Sequence, residues 1–472
     1  MAKLSKDTLQ MLKKAVGPNG FLENTADTEA FVVDARELYH GNTPLVLRPA
    51  TTDEVSSVVK ICASAGVPLT PQGGNTGYCG GATPDETGEQ IILSLTRMNN
   101  IRHIDALNYT ITAEAGCVLA TIQDAAEEAE RLFPLSLGAE SSCQIGGNLS
   151  TNAGGVAVLR YGNTRDLVLG LEVVLPDGTV WDGLRRLRKD NTGYDLKQLF
   201  LGAEGTLGIV TAVVLKLFPR PQEVVTSFVA LPTAQAALEL LSRMRSATSD
   251  GVTSFEYVHR HCVDLVLAHI DSASDPFTET YCHYALIECC ASRAASGLME
   301  AVEEALGVAF EAGEVSNAVI ASSGQQSAAL WKLRESIPEA QKLAGAGLKH
   351  DISVPLTNIP EFLEKATGIA EAMITGVNVI PFGHIGDGNI HFNLSRPPKT
   401  DGAEMMAKAH DLEVAVHDLA VQLDGSFSAE HGIGKLKRGE LARYKSKVEF
   451  DLMRKIKVAL DPKNTMNPGK VL

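Results

Sequence analysis

The stretch PFGHIGDGNIHFN (381–393) constrains this chain more than any other of its length. Gly386-Asp387-Gly388-Asn389 is turn chemistry, because glycine and asparagine accept the positive φ angles that short β-turns need. A turn centred between Asp387 and Gly388 makes the flanks two antiparallel strands. Ile385 then faces Ile390, His384 faces His391 and Phe382 faces Asn393. Directly opposed residues lie on one face with Cβ atoms ~5 Å apart. Two imidazoles so placed can aim one nitrogen each at a common point, as zinc-type metals require, with Zn–N of about 2.0–2.1 Å. The same pair also suits two solvated or hydrogen-bonded histidines at a sheet edge. A metal site needs a third ligand, which the hairpin does not supply.

At 472 residues the chain is too long for one ordinary domain, and two or three are expected. A hydrophobic content of 44% is enough to fill large cores. The formal net charge of −15 argues against nucleic acid and anionic membranes as partners. Small anionic substrates need only a local basic pocket and stay open. Cys62, Cys79, Cys117, Cys143, Cys262, Cys282, Cys289 and Cys290 include no C-x-x-C pair, so neither a zinc ribbon nor an iron–sulfur cluster is indicated. They read as small buried residues of a reduced protein. The N-terminus, MAKLSKDTLQ, has no apolar signal core, and no apolar run approaches the ~18–20 residues of a membrane span. The expectation is a soluble, cytoplasmic protein.

Residues 5–40 read as helices and loops, and 45–218 as strand, helix and glycine-rich loop repeated. Residues 51–66 form a helix with Thr52 as N-cap, valines and Ile61 at helical spacing, and Gly66 as its stop. VPLTP, QIILSL, TITAEAG, LGLEVVLPDG and GIVTAVVLKLF read as strands. Pro219 and Pro221 mark a boundary. Beyond it, strands such as TSFVAL and YALIECC alternate with helices at 233–246 and 293–305, an α+β pattern. The expected division is 1–221, 222–425 and 426–472.

Neither G-x-G-x-x-G nor G-x-x-x-x-G-K-[ST] occurs, so the two common phosphate-loop fingerprints are absent. PLTPQGGNTGYCGG (68–81) stands instead. Gly73, Gly74 and Gly77 bare backbone N–H groups that can face an anion, with Asn75 and Thr76 adding polar side chains. An ordinary glycine-rich turn is the alternative. FPLSLGAESSCQIGGNLSTNAGG (133–155) is a second such tract, with little charge. Two loops of this kind closing on one elongated cofactor would use their polar groups, one for a diphosphate and one for a ring system. LFLGAEGTLGIVTAVVLKLF (199–218) feeds a third loop into a long strand.

In this order the three loops resemble the FAD-linked oxidases of the vanillyl-alcohol-oxidase/PCMH superfamily. More narrowly they resemble the D-2-hydroxyacid dehydrogenase branch, which includes D-lactate and D-2-hydroxyglutarate dehydrogenases. The resemblance runs from about residue 40 to the C-terminus. It implies an α+β protein: a PCMH-type FAD-binding domain of two α/β subdomains, an α+β substrate (cap) domain with an antiparallel sheet, and a C-terminal helical segment returning to the flavin. Pro71, Gly73, Gly74, Asn75, Thr76, Gly77 and Gly81 would wrap the diphosphate. Many relatives attach the flavin through a histidine in this loop; Asn75 stands here with no histidine near it, so FAD is expected to be non-covalent. Pro134, Gly138, Ser142, Gly146, Gly147, Asn152 and Gly154 would contact diphosphate and isoalloxazine. Glu204, Gly205 and Ile209 would hold the adenosine and ribitol side, and Asn467 would return to the flavin.

The resemblance also pairs the hairpin with Ala429-Glu430-His431-Gly432-Ile433-Gly434, implying Glu430 as the third ligand beside His384 and His391. On sequence alone Glu430 is equally a solvated acid. Two histidines and a carboxylate leave open positions, as catalytic zinc does; Mn²⁺ is the alternative ion. The implied chemistry is oxidation of a 2-hydroxy acid. The ion binds the hydroxyl and one carboxylate oxygen, His431 takes the hydroxyl proton, and the C2 hydride goes to flavin N5. A flavin-contacting role is the other reading of His431. Arg334 and Lys349 match the family's carboxylate-binding pair, although WKLRE also reads as a solvated helix face. Asn393 would hydrogen-bond the same carboxylate. Members acting on 2-hydroxyglutarate typically carry threonine where Pro338 stands, which favours D-malate, D-lactate or a bulkier D-2-hydroxy acid. Without iron–sulfur or nicotinamide motifs, electrons must pass to an external acceptor: an electron-transfer flavoprotein, a quinone or a cytochrome. A homodimer is the family expectation. Competing readings are a non-catalytic flavin subunit, a zinc hydrolase or lyase, and an alkylglycerone-phosphate-synthase-like transferase.

Overall fold

A computed structural model describes residues 4–345 and 347–472. They form two compact units. One holds the chain up to Gly154, Gly162–Arg220 and Glu430–Leu472; the other holds Gly155–Tyr161 and Pro221–Ala429.

In the first unit, helix Thr52–Ala65 is capped by Thr51, whose hydroxyl accepts the Glu54 amide at 3.2 Å. The cap lies one residue earlier than expected, because the Thr52 hydroxyl is committed to the Glu172 carboxylate at 2.6 Å. Gly66 ends the helix in the left-handed region at φ 68°, where the absence of Cβ removes the strain. Val55, Val58 and Val59 pack into one core with Leu45, Leu47, Leu69, Ile91 and Leu93. Leu47, Leu69, Ile91 and Leu93 lie on a four-stranded sheet ordered Phe21–Leu22, Val46–Leu47, Ile91–Ser94, Leu69–Gln72, in which the last three strands are parallel. The C-terminal tail joins its edge: Leu69 N–H donates to Thr465 O and Asn467 N–H to Leu69 O, both at 2.8 Å. A second sheet has five antiparallel strands ordered Ile101–Asp105, Thr110–Glu114, Ile209–Lys216, Val168–Val174, Val180–Gly183.

The second unit is built on one antiparallel sheet. Its order is Asn317–Ile320, Glu223–Leu231, His283–Ala291, Val252–His259, Asn378–Gly383, Asn389–Ser395, Gly347–Leu348, and Asp351–Ser353 also pairs with Asn389–Ser395. Helices cover both faces. Ala234–Ala247, Leu298–Glu311, Ile359–Met373 and Ala409–Gln422 enclose one core, and Arg260–His269, Gly324–Glu335 and Ile337–Ala344 the other. The helix expected at 293–305 starts at Leu298. Ala295 at φ 50° and Gly297 at φ 79° put left-handed backbone just before it, and Gly297 is its N-cap.

Seven cysteines are buried and Cys282 is exposed. Burial pushes the Cys62 and Cys262 thiols up to about 12, which makes them inert packing groups. Among the described residues no helix is long and apolar enough to cross a membrane.

Candidate active site

The three glycine tracts meet in the first unit. Pro71, Gly73, Gly74, Asn75, Thr76, Gly77 and Gly81, then Gly146 and Gly147, then Glu204, Gly205 and Ile209 line one cleft, and His431 lines it with them. The glycines do two different jobs. A Cβ on Gly74 would lie 2.3 Å from Ser142 O, and one on Gly146 would lie 2.9 Å from Ala115 Cβ, so these two let the loops close on each other. A Cβ on Gly77 or Gly147 would meet nothing within 4 Å; there the bare backbone faces the cleft. Gly74→Ala is therefore expected to push the first two loops apart, at a cost of about 1–3 kcal/mol for overpacking. Thermal unfolding and the flavin-to-protein absorbance ratio of the purified variant should both fall.

Buried acceptors without a donor identify what the cleft accommodates. Gln144 Oε1 and Asn148 Oδ1 on its wall, and Asn467 Oδ1 behind it, have no partner within the protein. Each such atom costs about 1–3 kcal/mol when left unmet. A ligand rich in N–H and O–H donors, such as a flavin with its ribityl chain, would meet the two on the wall.

Several expected cofactor residues stand outside the lining. Pro134 is buried elsewhere, and Gly138 and Ser142 are exposed. Asn152 caps a helix at φ 51°, and its Oδ1 accepts Arg165 N–H at 2.8 Å. Gly154 makes room for an acid: a Cβ there would lie 2.5 Å from Glu430 Oε1. Asn467 shapes the cleft from behind by donating to Gly81 O at 2.9 Å and Glu204 O at 2.8 Å. Asn75 lines the cleft, but its side chain donates to Val33 O at 2.7 Å. Glu204 is a clamp as well as a wall. Its buried carboxylate accepts Ile433 N–H and Gly434 N–H, both at 2.7 Å, and so anchors the turn that follows His431. Burial pushes its carboxyl up, against those two donors. Tyr78, not singled out from sequence, meets the His431 ring edge-on with centroids 4.9 Å apart.

In the second unit the hairpin register differs from the expected one by two residues: Phe382 lies opposite His391 and Ile380 opposite Asn393. The turn is longer than two residues. Ile385–Asp387 wind a 3-10 turn, Gly388 takes φ 90°, and Asn389 N–H closes the loop on His384 O at 3.2 Å. His384 thus sits just beyond its strand instead of pairing across it. The two imidazoles are still neighbours, with ring centroids 5.6 Å apart. An even shift preserves the face that each strand residue occupies. Asn393 makes two contacts within the protein. Its Oδ1 accepts His350 N–H at 3.2 Å, and its Nδ2 donates to Gln341 Oε1 at 2.9 Å.

Carboxylates that sequence reading missed surround the histidines. Glu256, fully buried on strand Val252–His259, holds His384 Nδ1 at 2.6 Å through Oε1. Its Oε2 accepts both Nε and Nη2 of Arg334 at 2.8 Å. Burial alone would raise Glu256; the charges and hydrogen bonds of His384 and Arg334 outweigh it and hold the carboxyl at about 2. Arg334 also lies over the Phe382 ring, 4.7 Å from its centroid. It is therefore buried and paired, not a solvated helix residue. Asp351 Oδ1 lies 3.8 Å from His391 Nδ1, a charge contact longer than a hydrogen bond, and accepts Asn389 Nδ2 at 3.0 Å. Burial pushes Asp387 up to about 6, with Glu256 and Asp351 adding to the rise and His384 opposing it. Two imidazoles, each facing a carboxylate at Nδ1, are the arrangement in which the other ring nitrogen can ligate a divalent cation. Lys349 is exposed, next to strand Gly347–Leu348. Ala429 N–H donates to Asp351 O at 3.2 Å, and Glu430 is the next residue along the chain.

Residues 43–183 match the family described as FAD binding domain, and residues 220–471 match FAD linked oxidases, C-terminal domain. The chain belongs to the FAD-linked oxidase family. Its cofactor is FAD. Among its relatives, D-2-hydroxyglutarate dehydrogenase, mitochondrial, of Arabidopsis thaliana is 38% identical over 99% of this chain and 82% of its own length. A putative mitochondrial D-lactate dehydrogenase of Schizosaccharomyces pombe is 35% identical over 99% and 90%. D-2-hydroxyglutarate dehydrogenase of Xanthomonas citri pv. viticola is 36% identical over 98% and 96%. This FAD-linked oxidase is an enzyme of the D-2-hydroxyacid dehydrogenase branch. A p-cresol methylhydroxylase structure shares the fold, with a TM-score of 0.78 at 17% identity over 98% of this chain and 96% of that one. The expectation of a cytoplasmic protein is corrected by the relatives, several of which are mitochondrial.

Proposed function

We propose that this flavoenzyme oxidises a small D-2-hydroxy acid, of the D-lactate, D-malate and D-2-hydroxyglutarate class, to the 2-oxo acid. It does so with non-covalent FAD and a divalent ion, Zn²⁺ or Mn²⁺, on His384, His391 and Glu430. The observation that carries the reading is His431 on the wall of the cleft formed by the glycine tracts. When bound, FAD accepts the C2 hydride and the ion polarises the hydroxyl oxygen. The protein's own part is to hold and move charge. His431 takes the hydroxyl proton, its ring steadied by Tyr78 and its backbone turn by Glu204. Arg334 and Lys349 supply positive charge for the substrate carboxylate. Pro338, in the first turn of helix Ile337–Ala344, has no hydroxyl to donate, which favours D-malate, D-lactate or a bulkier D-2-hydroxy acid over 2-hydroxyglutarate. Electrons leave to an electron-transfer flavoprotein, a quinone or a cytochrome, and the enzyme works as a homodimer.

An anaerobic visible spectrum tests this. Each D-acid is added in turn with its L-form as control. Bleaching of the flavin band by one D-acid alone, with recovery on adding an artificial acceptor, is the expected result and names the substrate. A metal-loaded flavoprotein that no 2-hydroxy acid bleaches overturns it and favours flavin chemistry without net oxidation.

A further inference from the structure

Glu256 stands in the middle of a buried strand, and its two oxygens are divided between two functions. Oε1 meets His384 Nδ1 at 2.6 Å, and Oε2 takes two N–H donors of Arg334 at 2.8 Å. Ordinary packing does not call for a fully buried carboxylate at this point. Val258, on the same face of the strand, is apolar and joins the core that Leu330 and Leu333 of the Arg334 helix complete. We infer that Glu256 is a positioning residue that fixes the ligating tautomer of His384 and, through its other oxygen, ties that choice to Arg334. The inference rests on the reading of His384 as a metal ligand.

The argument is one of donors and acceptors. A carboxylate accepts and does not donate, so the proton of neutral His384 stays on Nδ1 and the lone pair that binds a cation lies on Nε2. Arg334 has donors only, and it holds the second oxygen at a fixed place. A glutamine of the same shape cannot satisfy both partners. Its single carbonyl oxygen must face Arg334, because two sets of N–H donors cannot face each other in a buried site. The amide NH₂ then points at His384 Nδ1, which must become the acceptor. The ring proton moves to Nε2, and the ligating nitrogen is lost. Arg334 thus dictates, through one side chain, which nitrogen of His384 is offered to a metal.

The test is zinc affinity measured by chelator competition on the purified full-length flavoprotein, with flavin content and thermal unfolding recorded alongside. Glu256→Gln should bind zinc about 10- to 100-fold more weakly than wild type, the range seen when an outer partner of a metal ligand is lost. Flavin content should be unchanged. The double variant Glu256→Gln/Arg334→Gln lets the amide turn its oxygen toward His384, so zinc affinity should return to within about threefold of wild type while KM for the acid stays high. A purely structural Glu256 would make the double variant worse, not better. Equal zinc affinity in wild type and Glu256→Gln, or no recovery in the double variant, overturns the inference. If Glu256→Gln does not fold, histidine-selective ¹⁵N NMR of the metal-free wild type decides. A proton on His384 Nδ1 supports the inference and one on Nε2 overturns it. Wild type that binds no zinc at all is a different outcome, and removes the metal reading itself.

Discussion

His431→Asn is expected to give a yellow flavoprotein whose band the D-acid bleaches about 10²- to 10⁴-fold more slowly than in wild type, the usual contribution of a positioned general base. The argument starts from the cleft. His431 is the one histidine among its lining residues, and the turn after it is pinned by two backbone hydrogen bonds to buried Glu204. Those bonds involve residues 433 and 434 and survive the substitution. Asparagine keeps a polar side chain of smaller volume, so FAD content should change little. The hydroxyl proton then has no acceptor when the C2 hydride departs. Stopped-flow flavin reduction measures the loss directly. Reduction within about threefold of wild type would assign His431 to flavin contact alone.

How much of this was legible in the sequence depends on the physics behind each feature. The glycine tracts were legible as loops because their composition suits no helix or strand interior, but the sequence did not separate Gly77 and Gly147, which bare backbone to the cleft, from Gly74 and Gly146, which let the loops close on their neighbours. Helix Thr52–Ala65 and the strand Ile209–Lys216 were legible because each carries a sustained apolar pattern. Glu256 was not, since one acid in a strand has no period and its meaning comes from His384 and Arg334, 128 and 78 residues away. The hairpin existed as read, but its register did not. Gly-Asp-Gly-Asn suits a two-residue turn and a 3-10 turn alike, and the backbone bond from Asn389 to His384 decides between them. The seven residues 155–161 are too short to show a pattern. They join the second unit through contacts such as Arg160 Nη1 donating to Cys290 O at 2.9 Å. Gly154 was expected at the cofactor from the family resemblance; its closeness to the Glu430 carboxylate, far away in sequence, was not legible.

Treating the purified enzyme with a chelator should leave its flavin spectrum intact and slow substrate-driven flavin reduction by about three orders of magnitude. A polarising ion contributes several kcal/mol to stabilising the developing alkoxide, and about 4 kcal/mol corresponds to a thousandfold in rate. None of the proposed metal ligands His384, His391 and Glu430 is among the residues lining the flavin cleft. Metal loss therefore has no route to flavin loss through shared ligands, and the two measurements separate. Zn²⁺ or Mn²⁺ added back should restore the rate, and the ion that does so at the lower concentration identifies the metal. His391→Ala should reproduce the chelated state without recovery. Asp351 is held by Asn389 whether or not the imidazole is present, so the fold around the missing ring should persist. Full activity in an enzyme shown by elemental analysis to hold no metal would leave the two imidazoles and three carboxylates as an ion-pair network. Substrate activation would then rest on Arg334, Lys349 and His431 alone.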